Sequence, residues 1–175
     1  KLREFGNLIL SKLAPSQVRH LALTYPADAK ASSMPRMLSE VTVETEVGWV
    51  RFATTHLEFF SPRQRAAQAT RIQELHLEAS AQMRQPPLDR PETAFSLVPQ
   101  SPSMIVCGDF NFLPESAAYH LLTEAVKAPD HALVDAWQRW QPDTPHPPTC
   151  GLHDVKQWPD GPHCRDFFFI TNDLV

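Results

Sequence analysis

The stretch "LSEVTVETEV" (residues 38–47) constrains this chain most. Leu38, Glu40, Thr42 and Glu44 alternate against Val41, Val43, Thr45 and Val47, with one slip near the start. Alternation with period two belongs to a strand with two different faces, because successive side chains point to opposite sides. Gly48 then turns the chain and "WVRFATTHL" (49–57) returns. Residues 38–57 therefore read as an antiparallel hairpin, which commits the fold to a sheet.

After the hairpin the period changes. Ser61 can cap a helix, Pro62 suits its first position, and Gln64 can close a capping box. Ile72, Leu75, Ala79 and Met83 follow at helical spacing, so a helix is predicted to about residue 84. Prolines number 17 in 175 residues, about twice the ~5% average. They gather at 86–102 and 142–162, marking those stretches as loops. Other predicted strands are "GNLILSK" (6–12), "VRHLALTY" (18–25), 103–108 and "CRDFFFIT" (164–171); helices are predicted near 115–127 and over 132–140. Hairpins, inserted helices and no regular βαβ alternation give an α+β class, and 175 residues suit one domain, 1–175.

Three apolar strands break into polar groups at one end. "SMIVCGDFNFLPES" (103–116) runs from Met104, Ile105 and Val106 into Gly108, Asp109, Phe110 and Asn111. If the strand continues, Asp109 and Asn111 share a face. A carboxylate can accept a proton or ligate a divalent cation, and an amide can hold an anionic oxygen without adding charge. "RFATTHLE" ends at His56, an imidazole able to donate to a phosphate oxygen or move a proton. The last strand has its acid, Asp166, at its start, so it meets the other two if it runs antiparallel to them. Each feature alone has a plain reading: Gly-Asp and Asn make turns, His56 can be a rim histidine, and Asp166 can pair with Arg165. Their coincidence on one rim favours a site.

"GNLILSK", "TTHLE", "CGDFN" and "RDFFFIT" together resemble, in order and rough spacing, the endonuclease/exonuclease/phosphatase (deoxyribonuclease I-like) superfamily, from about Phe5 to Leu174. The resemblance implies a four-layer α/β sandwich, two packed mixed sheets flanked by helices, incomplete here at both ends. It also implies a phosphoesterase using Mg²⁺ (Mn²⁺ as an alternative) for in-line water attack. By resemblance, Asp109 activates water or binds metal, Asn111 orients phosphate or binds metal, and His56 stabilises charge on a phosphate oxygen. Asp166 matches the acid that orients a catalytic histidine, and Cys164 stands where the family usually has Arg. The family's upstream metal-binding Glu and closing Ser-Asp-His motif have no counterpart among these residues. Glu4 reads as a loop residue ahead of Gly6. The expectation is the central portion of a larger enzyme, inactive alone.

Expected substrates are phosphate esters: nucleic acid, inositol phosphate or a phospholipid head group. The net charge of −4 argues against electrostatic coating of nucleic acid. The alternative function is a non-catalytic binding module of the same fold, against which the intact Asp109, Asn111 and His56 speak. Cys150, His153, His163 and Cys164 have poor spacing for a zinc site, and three cysteines make no disulfide framework; Cys107 reads as a small core residue. Arg63, Arg65 and Arg71 read as a solvated helix face, Arg36, before the long hairpin strand, could reach the rim but is not counted in the site, and Trp137, Trp140 and Trp158 read as core. No run approaches the ~20 apolar residues of a membrane span, and no obligate protein partner is implied. Cytoplasmic residence is expected, a removed export leader leaving no trace, and arginine in excess of lysine suggests a bacterial source.

Overall fold

The expected hairpin forms. In the computed structural model, which describes residues 5–124 and 131–175, β2 (Met37–Thr45) and β3 (Gly48–His56) pair antiparallel, with Val43 opposite Val50 and Leu38 opposite Thr55. Gly48 makes the turn at φ +101°, and the Thr45 hydroxyl donates to its carbonyl at 2.7 Å. On the outer edge, β1 (Pro15–Ala22) pairs antiparallel with β2.

The chain then crosses over through α1 (Pro62–Arg84). Ser61 Oγ accepts from the Gln64 amide at 3.1 Å and donates to Asp28 Oδ2 at 2.6 Å. The capping box is half made, because the Gln64 side chain donates to Pro26 O at 2.8 Å instead. A long exposed segment leads to β4 (Met104–Asp109), which pairs parallel with β3. Then come α2 (Ala117–Thr123), β5 (Leu133–Asp135), α3 (Ala136–Trp140) and β6 (Asp166–Thr171). The strand order is β1-β2-β3-β4-β6-β5, with β6 antiparallel to both β4 and β5. This is the expected α+β class, a mixed sheet flanked by helices; one six-stranded sheet is formed among the described residues.

Ala53, Met104, Val106, Phe167 and Phe169 project from one face onto Ala69 and Ile72 of α1 and Tyr119 and Leu122 of α2. Phe110 and Phe112, just past β4, complete an aromatic cluster with Phe167 and Phe169 at centroid separations of 4.9–6.2 Å. Beneath α1 lies a buried polar network. Arg51, fully buried, donates to Glu40 Oε2 at 3.1 Å, Ser101 O at 2.7 Å and His76 Nδ1 at 2.7 Å. The His76 Nε2–H donates to His131 O at 2.6 Å, so this ring is neutral and both nitrogens are used.

Several predictions differ from the structure. Residues 6–12 form no strand: Leu8 is 76% exposed and Leu10 86%, and no described strand pairs with them. Strand propensity needs a partner ladder to be realised. The strand predicted at 18–25 lies instead at 15–22. Over 132–140 a short strand precedes the helix, because Asp135 accepts from the Trp137 and Gln138 amides and starts the helix there. The second helix ends at Thr123; the remaining predicted residues 125–127, like Glu4, lie outside the described residues. Trp140 is 71% exposed, and Trp137 and Trp158 are only half-buried, so none of the three is core. Cys107 is likewise half-buried. No helix among the described residues is long and apolar enough to cross a membrane.

Candidate active site

Register builds this site. In the parallel pair, His56 of β3 lies opposite Asp109 of β4; in the antiparallel pair, Asp109 lies opposite Asp166 of β6. The end of β3, the end of β4 and the start of β6 thus form one row across three adjacent strands. His56 Nε2 stands 3.5 Å from Asp109 Oδ2. Asp166 is exposed at the end of the row, and its amide donates to Thr149 Oγ1 at 3.3 Å. Arg165 does not pair with Asp166. Its guanidinium donates to Asn111 O at 2.9 Å and to His163 Nε2 at 2.8 Å, and stacks 4.6 Å from the Trp158 ring centroid.

Gly108 lets the row close. Its φ is +148°, and a Cβ there would lie 1.9 Å from Thr55 O and 3.0 Å from Thr55 C. Thr55 faces Gly108 one step before the His56–Asp109 pair. Only a residue without Cβ allows β3 and β4 to approach this closely at the rim.

Asn111 reaches the site by a route other than strand alternation. β4 ends at Asp109, and the Phe110 amide is taken by Arg165 O at 2.9 Å. Asn111 then adopts a left-handed conformation, φ +53°, its amide donating to Asp109 Oδ1 at 2.9 Å. Phe110 drops into the core. The Asn111 Nδ2 donates to Leu57 O at 3.0 Å, leaving Oδ1 buried without a partner. As placed, the amide offers an acceptor rather than a donor, which suits a cation ligand better than a phosphate clamp.

Burial sets the protonation of the pair. Partial burial raises the Asp109 carboxyl above its ordinary value, opposed by the Asn111 amide and His56 and assisted by Asp166. Burial lowers His56, opposed by Asp109 and assisted by the Arg36 charge. Both shifts favour neutral forms, as desolvation does. Asp109 and Asn111 Oδ1 are hard oxygen donors, a partial set for a divalent cation that keeps several waters. Among the described residues no three His, Cys, Asp or Glu side chains group to hold a metal ion. The four residues weighed for zinc do not converge: Cys164 Sγ turns to Asp166 O at 3.2 Å and Cys150 Sγ to His163 O at 3.4 Å.

Sequence reasoning left the walls out of the site. A cavity of about 280 Å³ beside the row is lined by Arg36, Phe60 and Trp158 as well as His56, Asp109 and Asn111. The arginines of α1 are also more engaged than a solvated face: Arg65 Nη1 donates to Glu58 O and Phe59 O, both at 2.9 Å, and Arg63 to Ala27 O at 3.0 Å. Only Arg71 fits the simple reading, paired with Glu74 at 3.1 Å.

Comparison with known proteins bears on the family and the fold. A profile described as the Endonuclease/Exonuclease/phosphatase family matches residues 2–174. Among solved structures, the human Nocturnin catalytic domain with bound sulfate is similar at 22% identity and TM-score 0.53, covering 92% of this chain and 48% of that one. An endonuclease/exonuclease/phosphatase from Bacteroides vulgatus is similar at 18% identity and TM-score 0.57, covering 92% and 55%. ANGEL2, a 2′,3′-cyclic phosphatase with bound adenosine-2′,3′-vanadate, is similar at 16% and TM-score 0.55, covering 92% and 56%. The chain therefore spans about half the length of these structures. No match to curated protein sequences was found.

Proposed function

The chain belongs to the endonuclease/exonuclease/phosphatase family, and on that premise we propose that it supplies the central catalytic rim of a metal-dependent phosphoesterase. The observation that carries this reading is the His56–Asp109–Asp166 row, with Asn111 folded back onto Asp109. Asp109 accepts the proton of the attacking water, its basicity raised by burial. His56, held neutral by burial, donates through Nε2 to a phosphate oxygen as charge develops. Asp166 extends the acidic row on the far side of Asp109 and is placed to orient a further polar group of the site. Asp109 and Asn111 Oδ1 would hold a divalent cation, Mg²⁺ or Mn²⁺. When bound it would supply Lewis-acid polarisation of the phosphoryl group.

The substrate is a phosphate ester, and nucleic acid, inositol phosphate and phospholipid head group are the classes to assay. In the enzyme containing this chain, Asp109→Asn is expected to lower hydrolysis by about 10²–10⁴-fold, the usual contribution of a positioned general base. Chelator should abolish the parent rate and Mg²⁺ restore it. Undiminished hydrolysis by Asp109→Asn would overturn the mechanism.

A further inference from the structure

Two residues lining the same small cavity each carry a buried polar atom without a partner. One atom is Asn111 Oδ1, an acceptor; the other is Arg36 Nη1, a donor. Arg36 precedes β2 in the polar loop and is 8% exposed at its side chain. Its Nε is anchored at 3.4 Å by Glu58 Oε2, itself 1% exposed. Glu58 is fixed in turn: its Oε1 accepts from the Phe60 amide at 2.9 Å, and its own amide donates to the Gln68 side chain at 2.8 Å. The carboxylate thus holds one edge of the guanidinium, and the other edge carries the unpartnered nitrogen.

An unpaired buried donor is costly, and more so when charged. A fold that keeps one beside reacting groups leaves room for a partner that arrives later. The neighbouring cations are already engaged. Arg165 is spent on Asn111 O, His163 and Trp158, and Arg65 on two backbone carbonyls. The Asn111 amide donor is spent on Leu57 O. Arg36 is therefore the guanidinium among the described residues with a buried unpartnered nitrogen at the cavity. The Phe5 ring lies 5.7 Å from its Cζ and edges onto the His56 ring at 5.2 Å. Phe5 is 63% exposed, so its side chain can swing clear of both donors.

We propose that Arg36 is a substrate-phosphate ligand of this site, donating from Nη1 to a nonbridging phosphate oxygen, with Glu58 as the residue that positions it. Guanidinium forks match phosphate oxygens in geometry as well as charge, which an ammonium does not. A cavity of about 280 Å³ has room for a tetrahedral phosphate. The inference rests on the phosphoesterase reading only for the identity of the oxygen.

Titration of the chain with inorganic phosphate, followed by ³¹P NMR, tests it. Arg36→Lys keeps a cation beside Glu58 but loses the fork, and is expected to weaken phosphate binding about tenfold. The double variant Arg36→Met/Glu58→Gln removes both charges, so no carboxylate is stranded, and should weaken it further. Glu58→Gln alone should give a smaller loss, with Arg36 present but unanchored. Arg71→Met, on the exposed face of α1, should bind as the parent does. In the enzyme containing this chain, Arg36→Lys should raise KM about tenfold. Binding within twofold of the parent in both Arg36 variants, or no phosphate binding by the parent chain, overturns the proposal. Arg36-dependent phosphate binding without ester hydrolysis would leave it standing and defeat the phosphoesterase reading. Hydrolysis with KM unchanged in Arg36→Lys would do the reverse.

Discussion

Gly108→Ala is the sharpest test of how the sheet builds the rim. The new Cβ would sit 1.9 Å from Thr55 O and 3.0 Å from Thr55 C, both backbone atoms of the paired strand. An ordinary contact begins near 3.4 Å, so β3 and β4 must separate at this point by roughly 1–1.5 Å, a jump larger than the side-chain shifts that relieve most overpacking. No flexible side chain can absorb the clash. Strain at φ +148° adds about 1–3 kcal/mol for a residue with a Cβ, and overpacking about 1–3 kcal/mol more. The expected loss is about 4 kcal/mol, a large share of a typical domain's stability. The next pair along is His56 and Asp109, now 3.5 Å apart, and it should open with the strands. Urea unfolding would read the first effect, and the His56 imidazole resonances, freed from Asp109, the second. A Gly108→Ala chain within about 0.5 kcal/mol of the parent, with unchanged His56 resonances, would refute the close-approach argument.

His76 gives stability an acid limb. Burial and the Arg51 charge hold its pKa down to about 4, against 6.5 in an open chain. Between those values the unfolded chain binds the extra proton, so stability is whole above about pH 6.5 and falls as pH drops. At ~1.4 kcal/mol per pH unit, the loss by about pH 4 is about 3 kcal/mol; unfolding of His76→Gln should show a flatter pH dependence than the parent, and equal slopes would sink the assignment. Ser61→Ala removes the cap on α1 and its bond to Asp28, at about 1 kcal/mol. That should lower Tm by about 2–4 °C, and an unchanged Tm would contradict it.

What could be read from residues alone follows from periodicity. The hairpin alternation is local and strong, so its pairing and the placement of His56 at its end could be read directly. Asp166 entered because its strand begins where the others end, and antiparallel pairing with β4 is what the structure has. Asn111 also lies beside Asp109, but strand spacing gave the wrong reason. The chain leaves the strand at Asp109, and a left-handed turn reverses the amide so that its oxygen is the free atom. Arg36 had no period to betray it. Its place depends on a buried carboxylate many residues away, and long-range ion pairs leave no trace in local spacing. Residues 6–12 fail oppositely: their composition suits a strand, but the ladder that would make them one is not offered by any described neighbour.

The parallel pairing of β3 with β4 has a consequence for how the molecule comes into being. His56 cannot meet Asp109 until α1 and the exposed segment after it have been threaded across, and Asp166 arrives later still along the chain. Pairings so distant in sequence are slow to form, because loop closure precedes any reward from contact. The rim is therefore a late product of folding, and closure of the His56–Asp109 pair reports a finished sheet rather than a collapsed one. In a refolding experiment, helix signal from α1 should recover before phosphate affinity does.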